Sequence, residues 1–505
     1  MAEQPHKTQT NAGDRNLWQR RKFLGAAVSS AVLPHALAGN SAYAAGEHPR
    51  TEHPTAAHQV GNATYATPQA AIESPPEKLA YVAVTYSGTG RPLPDRLVTV
   101  DVDRNSRTYG KIVHRLEMPF LGDELHHYGW NVCSSCHGQP GKARQFLVVP
   151  GLNSANIHFI DVSHPAKPRL VKVIEGKEVR QKANLSALHT VHCGPDGRII
   201  ISALGDAHGN APGGFLIVDE SLNIAGRWEK STEGMPYNYD FWYQPRHNVM
   251  VSSEFAAPTT YGPGFRMEEA KAGKYGQRLH FWDWTTHKRI QTIDLGGEGM
   301  VPLEVRFHHN PDSAHGFVCA ALSSSVWHFH KKGGRWTAEK VIQTEPVQVA
   351  GQADPLPGLI TDILLSMDDR FLYLANWLHG DVRQYDISDP SQPKLTGQVW
   401  VGGLLGNGGT IKGKKPAGGP QMLQLSLDGK RLYFTSSLYS TWDNQFYPGL
   451  GKRGSLLLQL DCDTNRGGLS LNKGFCVDLG DEPGGPARGH EIRFPDGDST
   501  SDIWV

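Results

Sequence analysis

Histidine, cysteine and carboxylate crowd into one stretch of the chain. Residues 123–137 read Asp123-Glu124-Leu125-His126-His127-Tyr128-Gly129-Trp130-Asn131-Val132-Cys133-Ser134-Ser135-Cys136-His137. Imidazole and thiolate are the donors that suit copper, zinc and iron. His126 and His127 are therefore read as part of a metal site whose remaining ligands come from elsewhere. The competing reading is an irregular loop with solvated histidines and a structural cysteine pair, because a motif alone is only a hypothesis.

The totals set bounds on that chemistry. The 505 residues carry 50 basic and 50 acidic side chains and no basic block, which argues against nucleic acid as a partner. With 56 glycines and 33 prolines the chain predicts many turns and few long helices. The 24 histidines fit metal chemistry. Six cysteines in so long a chain do not make a disulfide scaffold. Cys133 and Cys136 form a C-x-x-C, but zinc would want a second such pair and none is present. A redox C-x-x-C opens a helix in a βαβ unit, whereas its surroundings here read as strand. In an oxidising compartment a local disulfide or a buried pair is expected. Cys193, Cys319, Cys462 and Cys476 fall in strand-like runs and are expected in the core.

Strands must position these residues. After Lys78, apolar runs of four to six residues alternate with Gly, Pro and Asp turns, as in Leu79-Ala80-Tyr81-Val82-Ala83-Val84 and Gln145-Phe146-Leu147-Val148-Val149. The turns recur. Ser366-Met367-Asp368-Asp369-Arg370-Phe371-Leu372-Tyr373 resembles Ser426-Leu427-Asp428-Gly429-Lys430-Arg431-Leu432-Tyr433, and Pro195-Asp196-Gly197-Arg198 is an earlier copy. Sheet repeats at about 40–50 residues mark propeller blades. The somewhat longer spacing here predicts an all-β, seven-bladed β-propeller over residues 79–505, against a pair of β-sandwiches as the alternative.

That geometry sorts the histidines. A blade's first strand lines the central channel, so residues six or seven before the far-face turn sit at the near mouth. Counting back places His189, Thr361-Asp362, Gln421, Gly489-His490, Tyr239-Asp240 and Val305-Arg306, beside Glu304, at that mouth. His126 and His127 lead the corresponding strand of their blade. His379, after a second strand, returns to the same face. His247, His308 and His309 fall at the opposite face, and strand alternation turns His192 away from the side His189 faces. Converging imidazoles on a rigid frame suit copper. His127, His189, His379 and His490 are the preferred ligands, with His126 as substitute or partner. Glu304 and Asp362 are the candidate catalytic proton carriers. Trp282, Trp284 and Trp442 are expected to be packing residues.

The first residues look like an address. Arg20-Arg21-Lys22-Phe23-Leu24 precedes a short apolar run, residues 25–33, and Ala42-Tyr43-Ala44 offers a signal-peptidase site. Paired arginines point to the twin-arginine export machinery and hence the periplasm. The apolar run is too short to span a bilayer. Residues 1–44 are thus expected to be a signal, with no membrane anchor after its removal, and residues 45–78 a flexible lead-in.

Several motifs resemble the selenium-binding protein family. They are Asp123 to His127 with Cys133-Ser134-Ser135-Cys136, Leu188-His189-Thr190-Val191-His192-Cys193, and Tyr239-Asp240-Phe241-Trp242-Tyr243-Gln244. Leu359-Ile360-Thr361-Asp362, Asn376-Trp377-Leu378-His379-Gly380-Asp381 and Ser501-Asp502-Ile503-Trp504-Val505 complete the set. The likeness runs from about residue 78 to the end. It implies a seven-bladed propeller and, for enzymatic members, oxidation of methanethiol by O2 and water to formaldehyde, hydrogen sulfide and hydrogen peroxide, with copper implicated. Where vertebrate members carry a selenium-assigned cysteine, this chain has Gly110. The alternative is a non-catalytic periplasmic carrier of metal, selenium or sulfur species. A protein-binding scaffold is a third. The sequence leaves open a second metal, a protein-derived cofactor and a homo-oligomer.

Overall fold

Among the described residues, twenty-eight strands form seven four-stranded antiparallel sheets, the blades of a β-propeller. The computed structural model describes residues 63–350 and 354–505. The sequence prediction of the fold holds. Blade 1 pairs Leu79–Thr85, Arg96–Asp101 and Ile112–Glu117 with Arg488–Arg493 from the far end of the chain. Tyr81 lies opposite Arg493 and Val82 opposite Ile492, so the ring is closed by strand pairing and needs no covalent join. Blades 2 to 7 follow in order, with inner strands Gly129–Trp130, Ser186–Cys193, Phe241–Gln244, Pro302–Phe307, Ile360–Leu365 and Leu423–Leu425.

Burial tracks distance from the axis. Inner strands such as Pro302–Phe307 and Ile360–Leu365 are buried at every position. The outermost strand Lys288–Asp294 alternates between exposed and half-buried residues, as a strand with one solvated face should. Aromatic side chains fill the wedges between blades. Phe281, Phe307, Phe329 and Trp336 meet in one cluster between blades 4 and 5. Each buried phenylalanine there stabilises the interface by about 1.5–3 kcal/mol. Trp282 is core, its Nε1 donating to Ser252 Oγ at 3.0 Å, and Trp284 stacks on Tyr243.

The recurring turn has a chemical cause. Ser366 Oγ donates to Asp368 Oδ1 at 2.5 Å and accepts from Phe371 N at 2.9 Å. Ser426 makes the same pair of bonds with Asp428 and Arg431 N, at 2.7 and 3.0 Å. The next position is left-handed, at φ 57° for Asp369 and 72° for Gly429, which Asp tolerates and Gly prefers.

Two expectations need correction. Residues 63–78, the described part of the segment read as a flexible lead-in, are docked on the far face. Trp504 Nε1 donates to Tyr65 O at 2.9 Å, and Glu77 accepts from Arg431 Nε and Nη2 at 2.7 Å each. The export signal lies outside the described residues. Cys133 is bonded to Cys193, not to Cys136. The short 3-10 turn Ser134–Cys136 carries Cys136 away, and its buried thiol donates to Gly194 O at 3.3 Å. The disulfide therefore joins blade 2 to blade 3. Among the described residues no helix is long and apolar enough to cross a membrane.

Candidate metal centre

Four inner strands lose their regular pairing at the same height. Register shifts fall between Leu188 and Val191, Pro302 and Val305, Ile360 and Asp362, and opposite Gly489 to Ile492. Such irregularities re-aim side chains at sites of chemistry. Here they turn His189, Glu304, Asp362 and His490 into the channel mouth. His126 and His127 come from the loop before Gly129–Trp130. That loop is held by Leu125 N donating to Asp95 Oδ2 at 3.0 Å and by Ser440, whose backbone N and Oγ both donate to the Glu124 carboxylate.

Four imidazoles converge. The His126 ring lies 3.7 Å from that of His490, 4.9 Å from His127 and 5.0 Å from His189, and His127 lies 3.9 Å from His189. Nitrogens of His126, His127 and His189 fall within 4.8 Å of one another. All four side chains are buried.

Hydrogen bonding sets which nitrogen is free. His490 Nδ1 donates to Ser437 O at 2.6 Å, leaving Nε2 as a lone pair with no partner. The Thr190 hydroxyl donates its one proton to Asp240 Oδ1 at 2.6 Å, so at 3.0 Å it accepts from His189 Nδ1. His189 Nε2 is then also a free lone pair. Asp240 is anchored in turn by Val305 N at 2.6 Å and Arg306 Nη1 at 3.0 Å. This is how outer hydrogen bonds fix a ligand's tautomer. Burial, then the neighbouring histidines, hold His126 and His127 well below the usual imidazole range. Burial and the same histidine crowding do so for His189, and burial takes His490 down to about 3. Neutral rings with inward lone pairs are what a transition metal requires.

Below the rings lies a charged layer. Arg306 sits 2.9 Å from Glu304 Oε2, 3.0 Å from Asp240 Oδ2 and 3.6 Å from Asp362 Oδ1. Glu304 Oε1 is 3.7 Å from His127 Nε2, and Glu491 Oε2 is 3.6 Å from His127 Nδ1. Burial, then Asp240, push Glu304 well above the usual carboxylate range. Burial takes Asp362 up to about 7 against the pull of Arg306, and Glu491 up to about 8 against Arg493.

Above the rings is an apolar cavity of about 20 Å³, bounded by His126, His189, Tyr239, Thr361, Tyr439 and Trp442 together with aliphatic side chains. A cavity needs roughly 10–15 Å³ to hold one water, so the guest is small. The Tyr239 ring lies 4.0 Å from His189, and the buried Tyr439 hydroxyl has no partner.

His379 is not brought to this group. Its Nε2 donates to Leu356 O at 2.8 Å, and its ring contacts none of the four. It lies at the near face, but in the turn after a second strand, one strand farther from the axis. His192 packs edge-on against Phe241 and Trp242 between blades 3 and 4. Glu491, Arg493, Thr190 and Tyr439 escaped the sequence reading. For Glu491 and Arg493 the signal was available, since they follow His490 on the same inner strand.

Fold and site together define a seven-bladed propeller with a histidine cage at one mouth. The sequence model of the 56 kDa selenium-binding protein family matches residues 59–505, and the chain belongs to that family. A methanethiol oxidase of Xenopus tropicalis is 54% identical over 87% of this chain and 98% of its own length. Human methanethiol oxidase is 53% identical over the same shares. A hypothetical selenium-binding protein from Sulfolobus tokodaii superposes with a TM-score of 0.83 at 44% identity, covering 88% of this chain and 99% of its own.

Proposed function

We propose that this chain is a copper-dependent methanethiol oxidase that converts methanethiol, O2 and water to formaldehyde, hydrogen sulfide and hydrogen peroxide. The observation that carries this reading is the cage of four neutral imidazoles opening into an apolar cavity sized for one small molecule. The naming of the vertebrate relatives supports it. His126, His127, His189 and His490 are the residues that would hold copper. Copper held there supplies a soft acceptor for the substrate sulfur and a route for electrons to O2.

The chain's own residues do the rest. The apolar walls exclude bulk water and seat the methyl group. Tyr239 and Tyr439, kept protonated by burial, offer hydroxyl donors at the cavity edge. The thiol proton and the protons released from carbon need buried acceptors. Glu304 stands 3.7 Å from His127 Nε2, and Asp362, with its acidity shifted to about 7, lies beyond it across Arg306. Asp362 holds and passes a proton near neutral pH, and Glu304, whose acidity burial weakens, stands between it and the cage.

Export by the twin-arginine route to the periplasm belongs to the same proposal. Arg20-Arg21-Lys22-Phe23-Leu24 and Ala42-Tyr43-Ala44 support it. So does the Cys133–Cys193 disulfide, a bond that persists in oxidising compartments. Elemental analysis of the purified protein, read beside peroxide release on adding methanethiol, tests the activity. One copper per chain with peroxide release is expected. A copper-loaded protein that releases none would instead be a carrier.

A further inference from the structure

The near mouth is roofed by two loops from blades that are not neighbours. Residues 254–277 join the second and third strands of blade 4 (Val249–Ser253 and Arg278–Asp283), and residues 435–455 join those of blade 7 (Arg431–Phe434 and Leu456–Cys462). The loops meet edge to edge across the channel. The exposed Gln445 side chain bonds the backbone of Phe265 twice: its Oε1 accepts from Phe265 N at 2.8 Å and its Nε2 donates to Phe265 O at 2.9 Å. Beneath that pair, Trp442 Nε1 donates to Tyr261 O at 3.3 Å. Aromatic rings fill the rest of the seam, Phe265 against Trp442 at 5.3 Å and Tyr261 against Tyr439 at 5.5 Å. Tyr261, Tyr439 and Trp442 are also walls of the cavity above the imidazoles.

Elsewhere that cavity is walled by the blades themselves. Leu204, Leu303 and Thr361 stand on paired strands, and Ala321 and Leu322 in the tight turn 321–324 between two more. Parting the wall there breaks strand pairing, whereas parting the seam breaks only the three bonds just named and ring contacts. The two loops are also unequally held. On the blade 7 side, Ser440 is tied to the Glu124 carboxylate, and Asp443 accepts from Leu438 N at 2.9 Å and pairs with Arg488 at 3.3 Å. On the blade 4 side, Gly262-Pro263-Gly264 separates Tyr261 from Phe265, with Gly264 at φ 112°, a conformation that glycine alone adopts easily. The tip beyond it carries the short helix Met267–Lys271, and its ion pairs are internal, Arg266 and Lys274 both to Glu269. A self-contained tip beyond a turn of small residues is the build of a loop that moves as a unit.

We propose that this seam is the entrance through which a small thiol reaches the cage, and that Gln445 is its latch. The identity of the guest rests on the oxidase reading; the opening itself rests on the two loops. The blade 4 tip swings at Gly262 and Gly264, Phe265 leaves Gln445, and a gap between Tyr261 and Trp442 opens onto the cavity. Closed, the roof leaves room for one small molecule, so the latch also favours methanethiol over bulkier thiols.

The test uses the full chain and Gln445→Met, which keeps the length of the side chain and removes both bonds to Phe265. The position is exposed, so the fold is retained. Exchange of the Trp442 indole proton with D2O, followed by NMR, reports the opening, because its partner is Tyr261 and not Gln445. This exchange is expected to speed up on the order of tenfold in Gln445→Met, as two lost amide bonds allow. The Trp282 indole, bonded to Ser252 in the core of blade 4, is expected to keep its rate. The kcat/KM for propanethiol is expected to rise relative to that for methanethiol. An unchanged Trp442 rate would overturn the proposal, and so would a faster rate with the ratio of the two thiols unmoved. Faster exchange in a protein that oxidises no thiol would uphold the entrance and end the oxidase reading instead.

Discussion

The two ends of the propeller channel differ in the kind of polar group they leave unpartnered. At the far end the chain's last residues form the plug and the Asp502 carboxylate is paired, although Arg144 Nε and Nη1, Asp498 Oδ2 and Ser501 Oγ beside it have no hydrogen-bond partner. Asp502 accepts from Ser134 N at 2.9 Å, Ser134 Oγ at 2.7 Å, Arg144 Nη2 at 2.5 Å and Asp498 N at 3.1 Å. At the near end, Nε2 of His127, His189 and His490, Oε1 of Glu304 and the Tyr439 hydroxyl are buried with no hydrogen-bond partner, Glu304 Oε1 facing His127 Nε2 at 3.7 Å. An unpaired buried polar group costs about 1–3 kcal/mol. Both ends leave some atoms unpartnered, but the near mouth gathers imidazole nitrogens, the donors a transition metal takes, into one cluster. Stability is made at one end of the ring, and chemistry is kept at the other.

The sharpest way to break this contrast is to remove the cage. His189→Ala/His490→Ala is expected to lose copper from elemental analysis and peroxide release by on the order of a thousandfold. The variant should nonetheless fold, because the strand pairing that builds blade 3 and closes the ring is between backbones and does not need the two side chains. A double mutant that retains full copper would end the ligand assignment. The mirror experiment is Asp502→Ala. It leaves Arg144 buried without its carboxylate and is expected to cost about 3 kcal/mol or more in urea unfolding. Turnover per folded molecule should be close to wild type at low temperature. A large loss of turnover with unchanged stability would contradict the division between the two ends.

The contrast was only half legible in the sequence, and the reason is directional. Turns such as Ser366 to Phe371 are local chemistry, so their repetition announced the blades. Counting back from them gave height along the axis, and that placed His189 and His490 at one mouth. Height says nothing about radius, which is why His379 reached the correct face but not the cage. Partners contributed by other blades left no local trace. Cys133 finds Cys193 across a blade boundary, and Glu77 in the Pro-rich segment finds Arg431, 354 residues away. Tyr439 reaches the cavity from a loop of blade 7 that no periodicity marks.

Between the free cage and the paired plug lie the groups that tie imidazole to charge, and two smaller effects test them. Thr190→Val keeps the shape of the side chain but removes the bridge from His189 Nδ1 to Asp240. Copper affinity is expected to fall about 10–100-fold, the cost of losing an outer-shell partner. Thr190→Ser should restore most of it. An unchanged affinity in Thr190→Val would mean that His189 is oriented by packing alone.

The smallest effect concerns Asp362. Its folded carboxyl keeps its proton up to about 7, because burial outweighs the attraction of Arg306, whereas the unfolded carboxyl releases it near 3.8. Between those values the folded state binds more protons than the unfolded one. Stability contributed by this group therefore falls as pH rises from about 4 to 7 and is level above that. Asp362→Asn places a permanently neutral group at the same position and removes that slope. The drop in urea midpoint between pH 4.5 and pH 7.5 is expected to be smaller in Asp362→Asn than in the wild type. An identical drop in the two proteins would show that Asp362 is ionised throughout, and the proton-holding role would then fall to Glu304.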